Sequence, residues 1–378
     1  MDKYFAGRPA WAEIDLGRLK ENIKNIQKQA KGKRVMCVVK ANAYGHGMIP
    51  VAKAMRSVGI QDFAVAILNE ALELRADDPT SSIMILGYTP GDMARPAVEQ
   101  DMTVTVYSLD EAKAFSTEAV QQNKKVKLAV ALDTGMSRIG YRPGQESLME
   151  IVQIAKLPHV ILEELFTHFS TADEADKTYS SGQIEKFIKM KQDLEDQEVY
   201  FNHYHMANSA AIIDLPQAHF DTVRPGIIQY GYYPSDDVNK EHLKIQPILS
   251  LYAGIAMVKD LEAGTPVGYG NTWAGLADST IGTIPVGYAD GYNRLLSNKG
   301  KVLFKGKELP IRGRVCMDQF MIELTETPEV KKGDVVTLLG EDGDVSYWAD
   351  EMARDLDTIS YEITCNIGAR VPRKYINE

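Results

Sequence analysis

Hydrophobic residues recur along the first two thirds of this chain in two alternating rhythms. Asp15 has the side chain of a helix N-cap, and Leu16, Leu19, Ile23 and Ile26 follow at three- and four-residue spacing, which predicts a helix. Short runs rich in Val, Ile and Leu then predict strands over 35–39, 63–67, 83–86, 103–106, 126–132, 161–167, 200–205 and 221–223. Between them the helical pattern predicts elements over 48–58, 69–75, 108–120, 146–155 and 183–194, with weaker patterns at 91–99 and 209–215. In the helix over 183–194, Ile184, Phe187, Ile188 and Leu194 are expected on one buried face. Continuous apolar strands fit a parallel sheet covered on both faces, and eight of them with helical crossovers fit a (β/α)8 barrel.

The rhythm changes after Pro234. Leu249, Leu251, Ala253, Ile255 and Met257 alternate, and Lys305-Gly306 and Asp342-Gly343 read as hairpin turns. The expected fold is therefore α/β: a TIM-type barrel over 12–239 followed by a mainly β-strand C-terminal domain over 240–378, with residues 1–11 packing on the latter.

Composition narrows the function classes. The 378 residues are 44% hydrophobic and 25% charged, as in a folded enzyme. A net charge of −10 without basic blocks argues against nucleic-acid binding. Three cysteines make no disulfide framework and no CxxC metal pair, and no apolar run reaches membrane-spanning length. A reduced, cytoplasmic protein without a metal is the expectation. His203 and His205 share one strand face, but packing or hydrogen bonding accounts for them better than a metal. Gly268-Tyr269-Gly270 lacks the third glycine and the strand–turn–helix setting of a dinucleotide fingerprint.

The chemistry-bearing residues fall at strand ends, where a barrel carries its active site. Lys40 ends the first strand inside Val38-Val39-Lys40-Ala41-Asn42-Ala43-Tyr44-Gly45-His46-Gly47. Desolvation lowers a lysine pKa and suits an amine that forms a Schiff base. Arg138 follows the fifth strand, His168 ends the sixth, Asn208-Ser209 follows the seventh and Arg224-Pro225-Gly226-Ile227 follows the eighth. Ser209 and the backbone N–H groups near Gly226 and Ile227 suit a phosphate. A lysine on the first strand and a phosphate site near the last two point to pyridoxal 5'-phosphate.

These motifs, with Asp133-Thr134-Gly135-Met136, Gly287-Tyr288-Ala289-Asp290-Gly291-Tyr292 and Ile359-Ser360-Tyr361-Glu362 in order, resemble those of the bacterial alanine racemases over essentially the whole chain. The resemblance implies that Lys40 is the cofactor lysine and one catalytic base, and that Tyr269 is the other. It implies that His168 bonds to both Arg224 and Tyr269, and that Arg224 faces the pyridine nitrogen. It places Arg138 at the cofactor's phenolic oxygen and the substrate carboxylate, and Tyr44, Ser209, Gly226, Ile227 and Tyr361 at the phosphate. Tyr288, Met317 and Asp318 correspond to the entrance and substrate pocket. The family's head-to-tail homodimer would bring Tyr269 and Met317 to the other subunit's site. Alanine racemisation, with D-alanine destined for peptidoglycan, is the implied activity. A serine or broad-specificity racemase is the nearest alternative, and an amino-acid decarboxylase or a non-enzymatic cofactor carrier lies further off.

Two departures stand out. Ala131 occupies a position where the family often has a carbamylated lysine that partners Arg138, so either a chloride ion or another side chain is expected to replace it, or Arg138 is held less tightly. Gly268 stands where serine is common, and Asn271-Thr272-Trp273 where Ala-Thr-Tyr is frequent.

Overall fold

A computed structural model describes residues 6–378. The chain divides into two compact units, one of Leu19–Ala43 and Met48–Gln246, the other of the described residues through Arg18 with Tyr44–Gly47 and Pro247–Glu378. Strand β1 (Ala10–Asp15) belongs to the second unit.

The first unit holds β2 (Arg34–Val38), β3 (Asp62–Val65), β4 (Ser82–Ile85), β5 (Thr103–Val106), β6 (Val126–Ala131), β7 (Val160–Phe166), β8 (His203–His205) and β9 (Thr222–Val223). They form one parallel sheet in the order β8-β7-β6-β5-β4-β3-β2-β9. The sheet nearly closes into a barrel, because the Asp221 N–H donates to the Tyr204 carbonyl at 3.2 Å and the Arg224 N–H to the Ala207 carbonyl at 2.9 Å. Burial on both faces explains the unbroken apolar runs: every residue of β5 is buried. The crossover helices start where caps allow. Ser108 Oγ accepts the Glu111 N–H at 3.2 Å ahead of the helix Leu109–Gln121, and Asp15 Oδ1 accepts the Arg18 N–H at 2.9 Å ahead of Leu16–Gln29. On the latter, Leu19, Ile23 and Ile26 are fully buried.

Two local expectations need correction. The helix anticipated over 183–194 runs Thr178–Glu195, and Ile188 lies outside its buried face, 49% exposed. The buried stripe is Ser180, Gln183, Ile184, Phe187, Met190 and Leu194, a near-heptad spacing that leaves position 188 a quarter-turn round the cylinder. The strand anticipated from residue 200 begins at His203, and Tyr200 is 62% exposed. There the Phe201 N–H turns to the Tyr204 hydroxyl at 3.1 Å instead of joining the ladder.

The second unit adds β10 (Leu249–Gly254), β11 (Met257–Leu261), β12 (Ser279–Ile284), β13 (Lys301–Phe304), β14 (Lys307–Arg312), β15 (Phe320–Glu323), β16 (Val335–Asp342), β17 (Val345–Tyr347) and β18 (Arg373–Ile376). With β1 they make a mainly antiparallel sheet in the order β11-β12-β15-β14-β13-β16-β10-β1-β18, β17 pairing with β16. The alternation of Leu249, Leu251 and Ala253 buries one face of β10, but it fails at Met257, 51% exposed, where a new strand starts. At the β13–β14 hairpin, Lys305 and Gly306 both take positive φ (49° and 76°), as a two-residue primed turn requires.

The corrected helix face has a measurable consequence. Phe187→Ala is expected to cost about 3–5 kcal/mol in urea unfolding, and Ile188→Ala about 1 kcal/mol or less. Equal losses would contradict the stripe.

Candidate active site

Lys40 stands two residues beyond β2, at the C-terminal rim of the barrel. The backbone after it makes a left-handed turn, with φ of 52°, 53°, 54° and 53° at Ala41, Asn42, Ala43 and Tyr44. Asn42 Oδ1 accepts the Met48 N–H at 2.8 Å, and the Ala43 N–H returns to the Val39 carbonyl at 2.8 Å.

Arg138 rides on a loop that folds back on the end of β6. Asp133 Oδ1 accepts the Gly135 and Ser137 N–H groups at 3.1 and 2.8 Å, and the Tyr141 N–H donates to the Ala131 carbonyl at 2.8 Å. Gly140 makes this return possible: its φ is +112°, and a Cβ there would meet the Leu132 carbonyl carbon at 2.7 Å. Arg138 is exposed and Ala131 buried.

His168 follows β7, and its carbonyl accepts Gln183 Nε2 at 3.0 Å. The same amide reaches Thr134 Oγ1 at 3.2 Å, Thr134 pairs with Thr167 at 2.9 Å, and Thr167 donates to the Leu132 carbonyl at 2.7 Å. This buried polar seam ties the rims of β6 and β7 together.

After β8, Asn208 Oδ1 caps the helix Ser209–Asp214 by accepting the Ala211 N–H at 3.1 Å. Ser209 Oγ accepts the Gly226 N–H at 2.9 Å, so the hydroxyl proton is what Ser209 has to offer an anion. Ile227 and Ile228 open the 3-10 turn Ile227–Tyr230, where the first N–H groups have no acceptor within the turn.

Arg224, 3% exposed, is the centre of the unit's polar interior. Its Nη2 donates to the Thr167 carbonyl at 2.7 Å and lies 3.3 Å from His168 Nδ1, and its Nη1 bonds to His205 Nδ1. His205 Nε2 stands 3.2 Å from Glu164 Oε2. Glu164 Oε1 accepts Arg34 Nη1 at 2.7 Å, and Arg34 Nη2 reaches Asp62 Oδ1 at 2.7 Å. A continuous chain thus runs from Asp62 through Arg34, Glu164, His205 and Arg224 to His168. Sequence reading placed His205 only as a packing or hydrogen-bonding residue and passed over Glu164 and Arg34. The available signal was the adjacent pair Glu163-Glu164 inside an apolar strand.

The environment keeps both histidines neutral. Desolvation, then the charges of Arg224, Arg138 and Lys40, push His168 well below its ordinary value. Desolvation and Arg224 hold His205 down at about 4, although Glu164 pulls the other way. Burial lowers Arg224 to about 10, against the opposing pull of Glu164, so it stays charged at neutral pH.

In the other unit, the Tyr44 and Tyr361 rings lie 5.9 Å apart. Burial, with the Cys365 thiol adding to it, raises the Tyr44 phenol, which leaves a donating hydroxyl. Tyr288 and Met317 come together because the Tyr288 and Ala289 N–H groups donate to the Cys316 and Met317 carbonyls, both at 3.0 Å. Asp318 pairs with Arg370 at 2.8 Å. Tyr269, 72% exposed, opens the short turn Tyr269–Asn271. Gly268 before it has φ +74° and ψ −173°, a region open to glycine, and a Cβ there would meet Met321 Cε at 2.9 Å.

The donor set of the barrel rim fits pyridoxal phosphate. It offers an amine for the aldehyde, a charged guanidinium for the ring nitrogen, and a hydroxyl beside the first N–H groups of a 3-10 turn for the phosphate. Among the described residues, no cluster of three or more His, Cys, Asp or Glu side chains is arranged to hold a metal ion, and no helix is long and apolar enough to cross a membrane.

Comparison with known proteins gives a consistent result. Residues 14–234 match the family model "Alanine racemase, N-terminal domain", and residues 248–375 match "Alanine racemase, C-terminal domain". An alanine racemase of Clostridium tetani is 45% identical over 98% of this chain and 96% of its own length. One from Methanococcus maripaludis is 44% identical over 98% and 99%. Among solved structures, the alanine racemase of Clostridium difficile 630 superposes with a TM-score of 0.95 at 40% identity, covering 99% of this chain and 98% of that one.

The neutral histidines set an acid limit on stability. An unfolded histidine takes up a proton below about pH 6.5, whereas His205 in the folded chain does so only near 4. The unfolded state therefore binds more protons between these values, and stability falls with pH by about 1.4 kcal/mol per unit for each such histidine. Glu164 has the opposite sense. Burial raises it, but His205 and Arg34 outweigh that and hold it below its usual value. Its contribution is full above about pH 4.5 and is lost only on further acidification. The thermal midpoint should therefore drop from pH 6.5 to about 4.5, and His205→Gln should flatten that slope. An unchanged slope would remove His205 from the account.

Proposed function

This chain belongs to the alanine racemase family, and on that premise we propose that Lys40 and Tyr269 are its two catalytic bases. The enzyme interconverts L- and D-alanine and depends on pyridoxal phosphate. When bound, that cofactor supplies an aldehyde for the substrate amine and an electron-withdrawing ring that acidifies the Cα–H bond. Lys40 Nζ takes the Cα proton on one face and Tyr269 Oη returns one on the other, or the reverse for the opposite enantiomer. A phenolate needs a cation to stabilise it, and in this reading Arg224 of the site that Tyr269 enters takes that part, with His168 as the link.

The observation that carries this reading is Arg224, buried and held on both Nη atoms beside two neutral histidines. A guanidinium has donors only and keeps its proton. At the ring nitrogen it would hold the cofactor without protonating it, and the chemistry the cofactor supplies there would favour proton return to Cα. A carboxylate there would favour other outcomes, which sets the decarboxylase alternative aside. Tyr44, Ser209, Gly226, Ile227 and Tyr361 would hold the phosphate. Asn208 fixes Ser209 through its cap, and Arg138 binds the substrate carboxylate. Tyr288, Met317 and Asp318 frame the entrance and substrate pocket, and Tyr361 keeps that pocket small enough to favour alanine.

The exposure of Tyr269 and Met317, 72% and 53%, supports their donation to the site of a second copy in a head-to-tail dimer. A chloride ion beside Arg138 takes the place of the anion that Ala131 cannot supply. The protein acts in the cytoplasm, where D-alanine feeds peptidoglycan.

Purified protein should show the absorbance band of a lysine-bound pyridoxal group, absent in Lys40→Ala, and should exchange the α-hydrogen of alanine in deuterated water. Absence of both in the wild type would refute the assignment. Tyr269→Phe should slow L-to-D turnover by about 10²–10⁴-fold, and full retained activity would sink the two-base scheme. Added chloride should lower the KM for alanine, and specific activity should fall on dilution. Serine turnover matching that of alanine would favour the broader racemase.

A further inference from the structure

The lysine-bearing turn is conformationally costly and contains no glycine. Ala41, Asn42, Ala43 and Tyr44 are consecutive residues with φ near +53°, a region that L-residues avoid because Cβ crowds the following carbonyl. Such a segment persists only where its surroundings over-determine it. Two of its restraints are local, the Asn42–Met48 and Ala43–Val39 hydrogen bonds. The third comes from another element. Glu70 occupies the third position of the helix Leu68–Asp77, and its Oε2 accepts the Ala66 N–H at 2.8 Å and the Ile67 N–H at 3.4 Å, as a capping glutamate does. Its Oε1 does something a cap does not need: it accepts the Ala41 N–H at 2.6 Å.

That N–H belongs to the peptide joining Lys40 to Ala41. Fixing its plane fixes the direction in which the Lys40 side chain leaves the backbone, at the point where the left-handed turn begins. Both carboxylate oxygens are used, each toward an N–H donor. A glutamine has one acceptor oxygen where two are used, and whichever way it turns its amide presents a donor to a donor, so sharing that oxygen weakens both the cap and the Ala41 contact.

We propose that Glu70 is the positioning residue of the cofactor lysine, clamping the turn after β2 to the loop after β3 so that the Lys40 amine is held ready to bond with the aldehyde. This rests on the reading of Lys40 as that lysine. Without the clamp the turn relaxes toward ordinary backbone, and only the fraction of molecules still in the left-handed form binds the cofactor productively.

The test uses the full-length chain, stripped of cofactor and titrated with pyridoxal phosphate while the absorbance band of the lysine-bound group is followed. Glu70→Gln should weaken binding about tenfold, in line with losing one hydrogen bond to a charged acceptor. Ala41 is exposed and its methyl packs against little, so Ala41→Gly relieves the positive-φ cost while keeping the N–H. In the Glu70→Gln background it should restore affinity to within about threefold of the wild type, whereas the loss of thermal stability from the weakened cap should stay. A role confined to helix capping predicts the stability loss without the affinity loss, or an affinity loss that Ala41→Gly does not repair. Either result overturns the proposal. A wild-type protein that forms no band overturns the Lys40 assignment and the clamp with it, whereas a wild-type band shared unchanged by Glu70→Gln overturns the clamp alone.

Discussion

The barrel unit is organised around one buried cation. A guanidinium with 3% of its surface exposed is tolerable only if its donors are satisfied and its charge is answered. Arg224 meets the first condition through the Thr167 carbonyl and the two histidine rings, and the second at one remove, through His205 to Glu164. Glu164 in turn needs Arg34, and Arg34 is shared with Asp62. The chain therefore draws residues from β2, β3, β7, β8 and the segment after β9 into one electrostatic unit, two cations balanced by two anions. Phe166 stacks on His205 with ring centroids 5.4 Å apart and seals it from solvent. The same low-polarity interior that makes Arg224 expensive to bury keeps His168 and His205 neutral, so the guanidinium faces acceptors rather than competing cations.

Much of this was legible in the sequence, and what was not has identifiable reasons. Strand ends were visible because a parallel sheet covered on both faces leaves apolar runs with sharp polar stops. Lys40, His168 and Arg224 stand at three of those stops. Glu164 was hidden because it lies inside a run, and its partners on β2 and β8 are 130 and 41 residues away along the chain; only long-range register brings them together. The left-handed turn was invisible for a different reason. Ala-Asn-Ala-Tyr carries no glycine to advertise positive φ, and its conformation is imposed from outside by contacts such as that of Glu70. Ile188 was misplaced by applying a broad amphipathic stripe to a helix whose buried face is narrow.

Two small residues near the proposed site carry physical content of their own. Ala131 is a small, buried side chain at the end of β6, and it offers Arg138 no charge. Gly268 adopts φ +74° with ψ −173°, so serine there would require a different backbone path into Tyr269. The loop preceding the proposed second base is thus shaped by a residue that contributes no chemistry.

The polar axis through the barrel also constrains how this sequence can drift. A change at His205 alone breaks the link between Arg224 and Glu164, and a change at Glu164 alone leaves Arg34 with Asp62 only and Arg224 with no anion behind His205; removing one partner of a buried charge costs about 3–5 kcal/mol. That is a large share of the net stability of an ordinary domain. Single substitutions along the axis are therefore near dead ends, while a concerted exchange of the acid–base pair for two well-packed apolar residues is energetically open. Variation at these positions should arrive in correlated sets, and the histories of β2, β7 and β8 should be coupled although the segments lie far apart in the gene.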